Sequence, residues 1–124
     1  MKLPKGAKKA GHLALCGVDV PIFLVKDLED EGQRCFGISI IDEPAILLCT
    51  SQGDEHLRQV LVHEAIHTIL HLSGAFHEIE QDLREGVDAD RVEERLVRTL
   101  TPHITAILNG GKAKPKARKR KASK

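Results

Sequence analysis

Residues 61–71, LVHEAIHTILH, place three histidines and one glutamate in a stretch that is otherwise largely apolar. Within this stretch, His63, Glu64 and His67 form the pattern HExxH. On a helix, residues four apart lie one above the other, about 6 Å apart, so two imidazoles can converge on one metal ion. Glu64 is rotated by about 100° from His63 and therefore stays outside the coordination sphere. The spacing predicts a zinc site in which Glu64 is the general base for a zinc-activated water.

A catalytic zinc ion needs three protein ligands and an open position, so one ligand must come from outside the motif. The metzincin extension does not supply it, because Leu70 and Ser73 stand where that pattern requires Gly and His. His77 is one candidate, because it follows a predicted turn and could fold back toward the helix. His71 lies about 12 Å along the helix from His63, too far to share one ion with it.

The preferred third ligand is Glu93, which lies in the stretch DRVEERLVRTL on a second predicted helix. Glu93 shares a helix face with Leu96, Val97 and Leu100, and this apolar face should pack inward. A buried carboxylate needs a partner, and a metal ion would provide one. Glu94 remains open as the alternative, although its charged neighbours are more typical of a solvated face.

The residue that would stabilise an oxyanion is left open by the sequence. Peptidases of this chemistry often use Tyr or His for the purpose, and this chain contains no Tyr. The candidates are four histidines outside the motif: His12, His71, His77 and His103.

The first half of the chain predicts a small, mostly antiparallel sheet to position these groups. Four apolar stretches bounded by turn residues predict its strands: 12–16, 20–25, 35–41 and 45–50. Apolar residues then recur at helical spacing from Asp54, which predicts a helix over 54–73 with Gly74 as its C-cap.

An acidic connector over 75–89 should lead to a second helix over 90–108, broken or kinked at Pro102. The predicted fold class is therefore α+β. A small, mostly antiparallel sheet is followed by the HExxH helix and a second metal-ligand helix, in a minimal zincin-like arrangement.

Charge is distributed unevenly along the chain. The formal net charge of +1 conceals a body, residues 11–111, with seven basic and eighteen acidic side chains. Residues 1–10 are predicted to be a flexible basic arm, 11–109 a single domain and 110–124 a disordered basic tail. Residues 112–124, KAKPKARKRKASK, carry eight Lys or Arg and no acid, so they could bind nucleic acid through its phosphates without sequence preference.

Composition excludes several classes of protein. No apolar run approaches the roughly 18 residues that a membrane span requires, and the N-terminus lacks the apolar centre of a signal peptide. We therefore expect a cytoplasmic protein with no membrane partner. The three cysteines, Cys16, Cys35 and Cys49, are odd in number and lack CxxC spacing, so we expect small buried side chains rather than disulfides.

Three stretches together resemble small phage-type zinc metallopeptidases of the ImmA/IrrE-like group: CFGISIIDEPAILLCT, LRQVLVHEAIHTILHLSG and VEERLVRTLTPHITAIL. The resemblance implies that His63, His67 and a glutamate on the next helix hold zinc, with Glu64 as the base. Carried over, that glutamate is Glu93, but the group's E-x-x-A-N-x-x-A motif fits only loosely here and leaves Glu94 open.

The leading functional prediction is a zinc metallopeptidase that hydrolyses a peptide bond in a protein substrate. The alternative is a non-catalytic, zinc-stabilised module that binds nucleic acid through residues 112–124. A third hypothesis is a DNA-associated factor without a metal. Glu64 separates the first two, because a structural zinc site has no need of a general base.

Overall fold

The computed structural model describes residues 3–110, which form an α+β fold. The six strands are β1 (Lys8–Leu15), β2 (Val18–Val25), β3 (Glu29–Asp30), β4 (Gln33–Arg34), β5 (Gly37–Ile40) and β6 (Ala45–Cys49). The three helices are α1 (Asp54–Leu72), α2 (Ala75–Asp82) and α3 (Ala89–Leu108). Apart from Gly110, the tail predicted over 110–124 lies outside the described residues.

The main sheet has the strand order β1-β2-β6-β5, and β3 pairs with β4 in a separate hairpin. The β1/β2 and β5/β6 pairs are antiparallel, whereas β2 and β6 run parallel. The sheet is therefore mixed: two of its three strand pairs are antiparallel, as the sequence predicts, and the parallel β2–β6 pair was not predicted. After β2, the chain forms the β3–β4 hairpin and then β5, before β6 pairs with β2. Strand β5 therefore lies at one edge of the main sheet.

The N-terminal strand begins earlier than predicted. Residues 8–10, which fall in the predicted flexible arm, belong to β1 and pair with β2 through Lys8 opposite Leu24 and Lys9 opposite Phe23. The register shifts before Gly11, and this irregularity interrupts the alternation that would have marked the longer strand in the sequence.

Helix α1, which contains the motif residues, begins at the predicted residue and ends one residue before the predicted end. Gly74 follows it with a φ of 84°, a left-handed conformation that glycine adopts without strain. Helix α2 lies in the segment predicted to be an acidic connector. Helix α3 continues through Pro102 as one span, so the predicted break at this residue does not occur.

Helix α1 is buried on two sides, against the sheet and against α3. Its sheet side packs on one face of the strands, in a cluster that includes Val20, Ile22, Ile46, Leu48, Leu57, Val60 and Leu61. Its other side packs on α3, in a cluster that includes Val62, Ile66, Leu70, Val97, Leu100 and Ile104. These two contacts fix the rotation of α1 and therefore the direction in which its motif faces.

The cysteines are only partly as expected. All three are free, and Cys49 is buried in the sheet. Cys35 is partly exposed, and Cys16 is exposed because it lies in the β1–β2 turn with a φ of 53°. None of the helices in residues 3–110 is long and apolar enough to cross a membrane.

Candidate metal centre

Helices α1 and α3 bring two imidazoles and a carboxylate together. His63 and His67 lie one turn apart on α1, with ring centroids separated by 4.9 Å. Glu94 approaches from α3, with one carboxylate oxygen 3.0 Å from His67 Nε2 and the other 3.6 Å from His63 Nε2. One donor atom from each residue lies within 4.8 Å of the other two, so this group could hold a metal ion.

Glu93, the predicted third ligand, occupies a different position beside the same histidine. It is buried as expected, at 6% exposure, but it contacts His67 at Nδ1, the nitrogen on the opposite side of the ring from Glu94. Its second oxygen lies 3.0 Å from His71 Nε2. The group that could hold a metal ion therefore contains Glu94 and not Glu93, because it lies at the rim of the helix interface rather than within it.

The Glu93 carboxylate can orient His67 for metal binding. A carboxylate that accepts a hydrogen bond from Nδ1 holds the proton of a neutral imidazole there, and this leaves the Nε2 lone pair free for a metal. The same carboxylate is held in place by His71, whose ring stacks on Phe76 at a centroid distance of 4.5 Å. Helix α2 thus supports the site through Phe76.

The predicted base, Glu64, is buried beside this group at 9% exposure and lines an open cleft with His63 and Glu94. Burial raises the pKa of the Glu64 carboxyl, and the nearby His67 and a hydrogen bond from Ser39 offset this rise only in part. A carboxylate in such surroundings is a better proton acceptor than an exposed one.

Gly37 on β5 makes room for Glu64. A Cβ atom built on Gly37 would lie 2.5 Å from Val60 Cγ1 and 3.2 Å from a Glu64 carboxylate oxygen. Any larger residue would therefore push α1 or Glu64 away from β5. A glycine within a strand is a sign of such close approach, and this signal was available in the sequence.

The protonation states at the site suit a metal ligand set. Burial lowers the pKa of His63, which favours the neutral imidazole that binds metals. Partial burial acts to raise the pKa of Glu94, but it is outweighed by a hydrogen bond from Arg98 and by the two histidines, and the pKa is lowered. Arg98 Nε lies 2.7 Å from a Glu94 oxygen.

The cleft has a volume of about 320 Å³, and it is lined by two ionisable residues that sequence reasoning did not place there. These are His56, which precedes His63 by two helical turns, and Arg98, which follows Glu94 by one. Helical spacing from the motif would have suggested His56.

The four predicted oxyanion candidates lie elsewhere. Within residues 3–110, none of them lines this cleft: His12 pairs with Asp19, His71 contacts Glu93, His77 pairs with Gln81, and His103 is exposed on α3. His77, the alternative third ligand, is also absent from the group that could hold a metal.

Comparisons with protein-family models, with curated proteins and with solved structures give no match to this chain. The resemblance to ImmA/IrrE-like metallopeptidases therefore stays a prediction from the motif residues. Any functional conclusion rests on the geometry of the His63, His67 and Glu94 group and on the cleft beside it.

Proposed function

We propose that this protein is a zinc-dependent metallopeptidase that hydrolyses a peptide bond in a protein substrate. The observation that carries the proposal is the His63, His67 and Glu94 group, with the buried Glu64 beside it in an open cleft. Two histidines and one glutamate form a ligand set that catalytic zinc sites of peptidases use. Imidazole ligands also favour zinc over magnesium or calcium, which prefer oxygen.

A bound zinc ion would supply Lewis acidity, which polarises a carbonyl group and activates water. Glu64 contributes the proton transfers: its carboxylate oxygen accepts a proton from the attacking water and delivers it to the leaving amine nitrogen. The raised pKa of Glu64 suits both steps, because a base is most effective when its pKa approaches the working pH. Glu93 acts on His67 and keeps its Nε2 directed toward Glu94.

The strand beside the cleft suits an extended substrate. Strand β5 forms one edge of the four-stranded sheet, and it carries Gly37, which leaves space for Glu64, and Ser39, which forms a hydrogen bond with Glu64. An edge strand offers unpaired backbone groups, and a peptide can add to it as a further strand. We propose on this basis that β5, α1 and α3 form a minimal zincin-like arrangement.

Hydrolysis of fluorescein-labelled casein by the zinc-loaded full chain tests the proposal. Glu64→Gln keeps the size of the side chain but cannot accept a proton, so this variant should retain zinc and lose hydrolysis. Glu80→Gln on the exposed face of α2 removes the same charge away from the cleft and should retain both.

Zinc binding and hydrolysis by the wild type and by Glu64→Gln also separate the functional alternatives. Zinc binding without hydrolysis by the wild-type chain would favour the non-catalytic module. Equal hydrolysis by wild type and Glu64→Gln would contradict the proposed role of Glu64.

A further inference from the structure

Helix α3 carries a row of three arginines beside the metal centre. Arg91, Arg95 and Arg98 are spaced by four and three residues, so they share one helix face over about 10 Å. They line a second cleft of about 380 Å³ together with Glu94 and Thr99. Glu94 and Arg98 also line the cleft that contains Glu64, so the row begins at the metal centre and extends away from it.

The concentration of positive charge in this row contrasts with the rest of the body. Residues 11–111 contain seven basic side chains against eighteen acidic ones, and three of the seven are in this row. All three arginines are exposed, so the core does not require them. Arg98 binds Glu94, whereas Arg91 and Arg95 form no ion pair with any residue in 3–110. Their guanidinium groups are therefore available to an external anion.

We propose that this arginine row is a docking site for an acidic segment of the protein substrate; the inference rests on the proposed peptidase function. Guanidinium groups bind carboxylates through paired N–H donors, so Asp or Glu side chains are suitable ligands. The available guanidinium groups of Arg91 and Arg95 lie one helical turn apart, about 6 Å, which matches about two residues of an extended peptide at roughly 3.3 Å each. The acidic segment would lie beside the cleft and deliver the adjacent peptide bond to Glu64.

The surroundings of the row favour a short acidic peptide over nucleic acid. Asp88 and Asp90 lie just before Arg91 at the start of α3, and the remainder of the body carries excess negative charge. A duplex would extend beyond the row and bring its phosphates against these acidic groups, which is unfavourable. A short acidic segment that spans the arginines brings fewer negative charges near these aspartates than a duplex would.

The test measures binding in the zinc-loaded, full-length Glu64→Gln chain, so that hydrolysis does not interfere. The probe is a fluorescent peptide with three consecutive glutamates between neutral residues, and fluorescence anisotropy gives its affinity. We expect Arg91→Gln/Arg95→Gln to bind it about fivefold more weakly, from two exposed ion pairs. The matched control, Arg34→Gln/Arg58→Gln, removes two exposed charges elsewhere and should change the affinity less than twofold.

A second measurement locates the bound peptide. The same peptide with a photoreactive benzophenone should cross-link to residues 88–102, as read by mass spectrometry. Equal affinities for the two double variants, or cross-links confined to 112–124, would overturn the inference. So would tighter binding of a short DNA duplex that depends on Arg91 and Arg95.

These outcomes are independent of the peptidase assay. If the wild type hydrolyses casein but the arginine substitutions do not affect peptide binding, the docking site is refuted and the proposed function stands. If peptide binding depends on the arginines but casein is not hydrolysed, the acidic-peptide site is supported and the peptidase function is refuted.

Discussion

Glu93 and Glu94 offer a matched pair of substitutions, because they are adjacent on α3 and contact opposite nitrogens of His67. Glu94→Gln removes the carboxylate that approaches both His63 and His67, and it should therefore remove a zinc ligand. Glu93→Gln removes only the carboxylate that orients His67. Both changes keep the size of the side chain and remove one charge. A difference in zinc binding between the two variants therefore reflects the position of the carboxylate relative to His67.

The expected effects differ in size. Zinc at 100 times its wild-type Kd stabilises the folded protein by about 2.7 kcal/mol, or about 10 °C in Tm for a domain of this length. Loss of an orienting carboxylate weakens metal binding 10- to 100-fold, so a tenfold loss in Glu93→Gln leaves about 1.4 kcal/mol, or about 6 °C. Loss of a ligand should weaken zinc binding by more than 100-fold, so zinc should stabilise Glu94→Gln by less than about 0.4 kcal/mol, or about 2 °C in Tm.

Thermal unfolding followed by circular dichroism provides the assay. Each variant is compared with its own zinc-free form, so that any change in the stability of the metal-free protein cancels. A larger loss of the zinc-induced shift in Glu93→Gln than in Glu94→Gln would refute the ligand assignment and restore Glu93 as the third ligand.

Three further predictions concern the surroundings of the site. Burial raises the pKa of the Glu64 carboxyl in the folded state because it disfavours the charged form. The stability that Glu64 contributes is therefore fully present below about pH 4.5, where the carboxyl is neutral, and is lost as the pH rises and the buried group ionises. Zinc-free Glu64→Gln should therefore be more stable than wild type at pH 7 but not at pH 4 in urea unfolding, and no gain at pH 7 would contradict the burial argument. Gly37→Ala should lower the free energy of unfolding by about 1–3 kcal/mol, because the added methyl group meets Val60; an unchanged urea midpoint would show that β5 can move away. His71→Ala should weaken zinc binding in titrations, but by less than Glu93→Gln, because it removes only one of the two contacts that hold Glu93.

Local patterns in the sequence were sufficient to predict the bounds of α1 within one residue. The apolar residues of α1 recur at helical spacing and Gly74 marks its end, so the helix and the orientation of His63 and His67 follow from short-range information. The inward position of Glu93 followed from the same kind of pattern on α3 and is confirmed by its burial.

The choice between Glu93 and Glu94 required the tertiary structure. Adjacent helical residues differ in direction by about 100°, and the interface between α1 and α3 passes between them. Burial identified the residue that faces the interior, whereas the group that could hold a metal ion includes Glu94, at the edge of the interface. A rule that assigns ligands by burial alone therefore selects Glu93, which lies outside that group.

Nonlocal pairing limited the prediction of the sheet. The parallel pairing of β2 with β6 joins Ile22 to Ile46 and Val25 to Cys49, and no local turn signal records it. Helix α2 was missed for a different reason: its acidic composition resembles a loop, and none of its residues is buried.

The most direct test of the central claim is the zinc content of the purified full chain. Inductively coupled plasma mass spectrometry should find about one zinc per chain in wild type and in Glu64→Gln, and almost none in His67→Ala. Circular dichroism on the same samples establishes that each protein is folded. A folded wild-type protein without zinc, or a His67→Ala protein that keeps it, would contradict the assignment of His63, His67 and Glu94 as a metal centre.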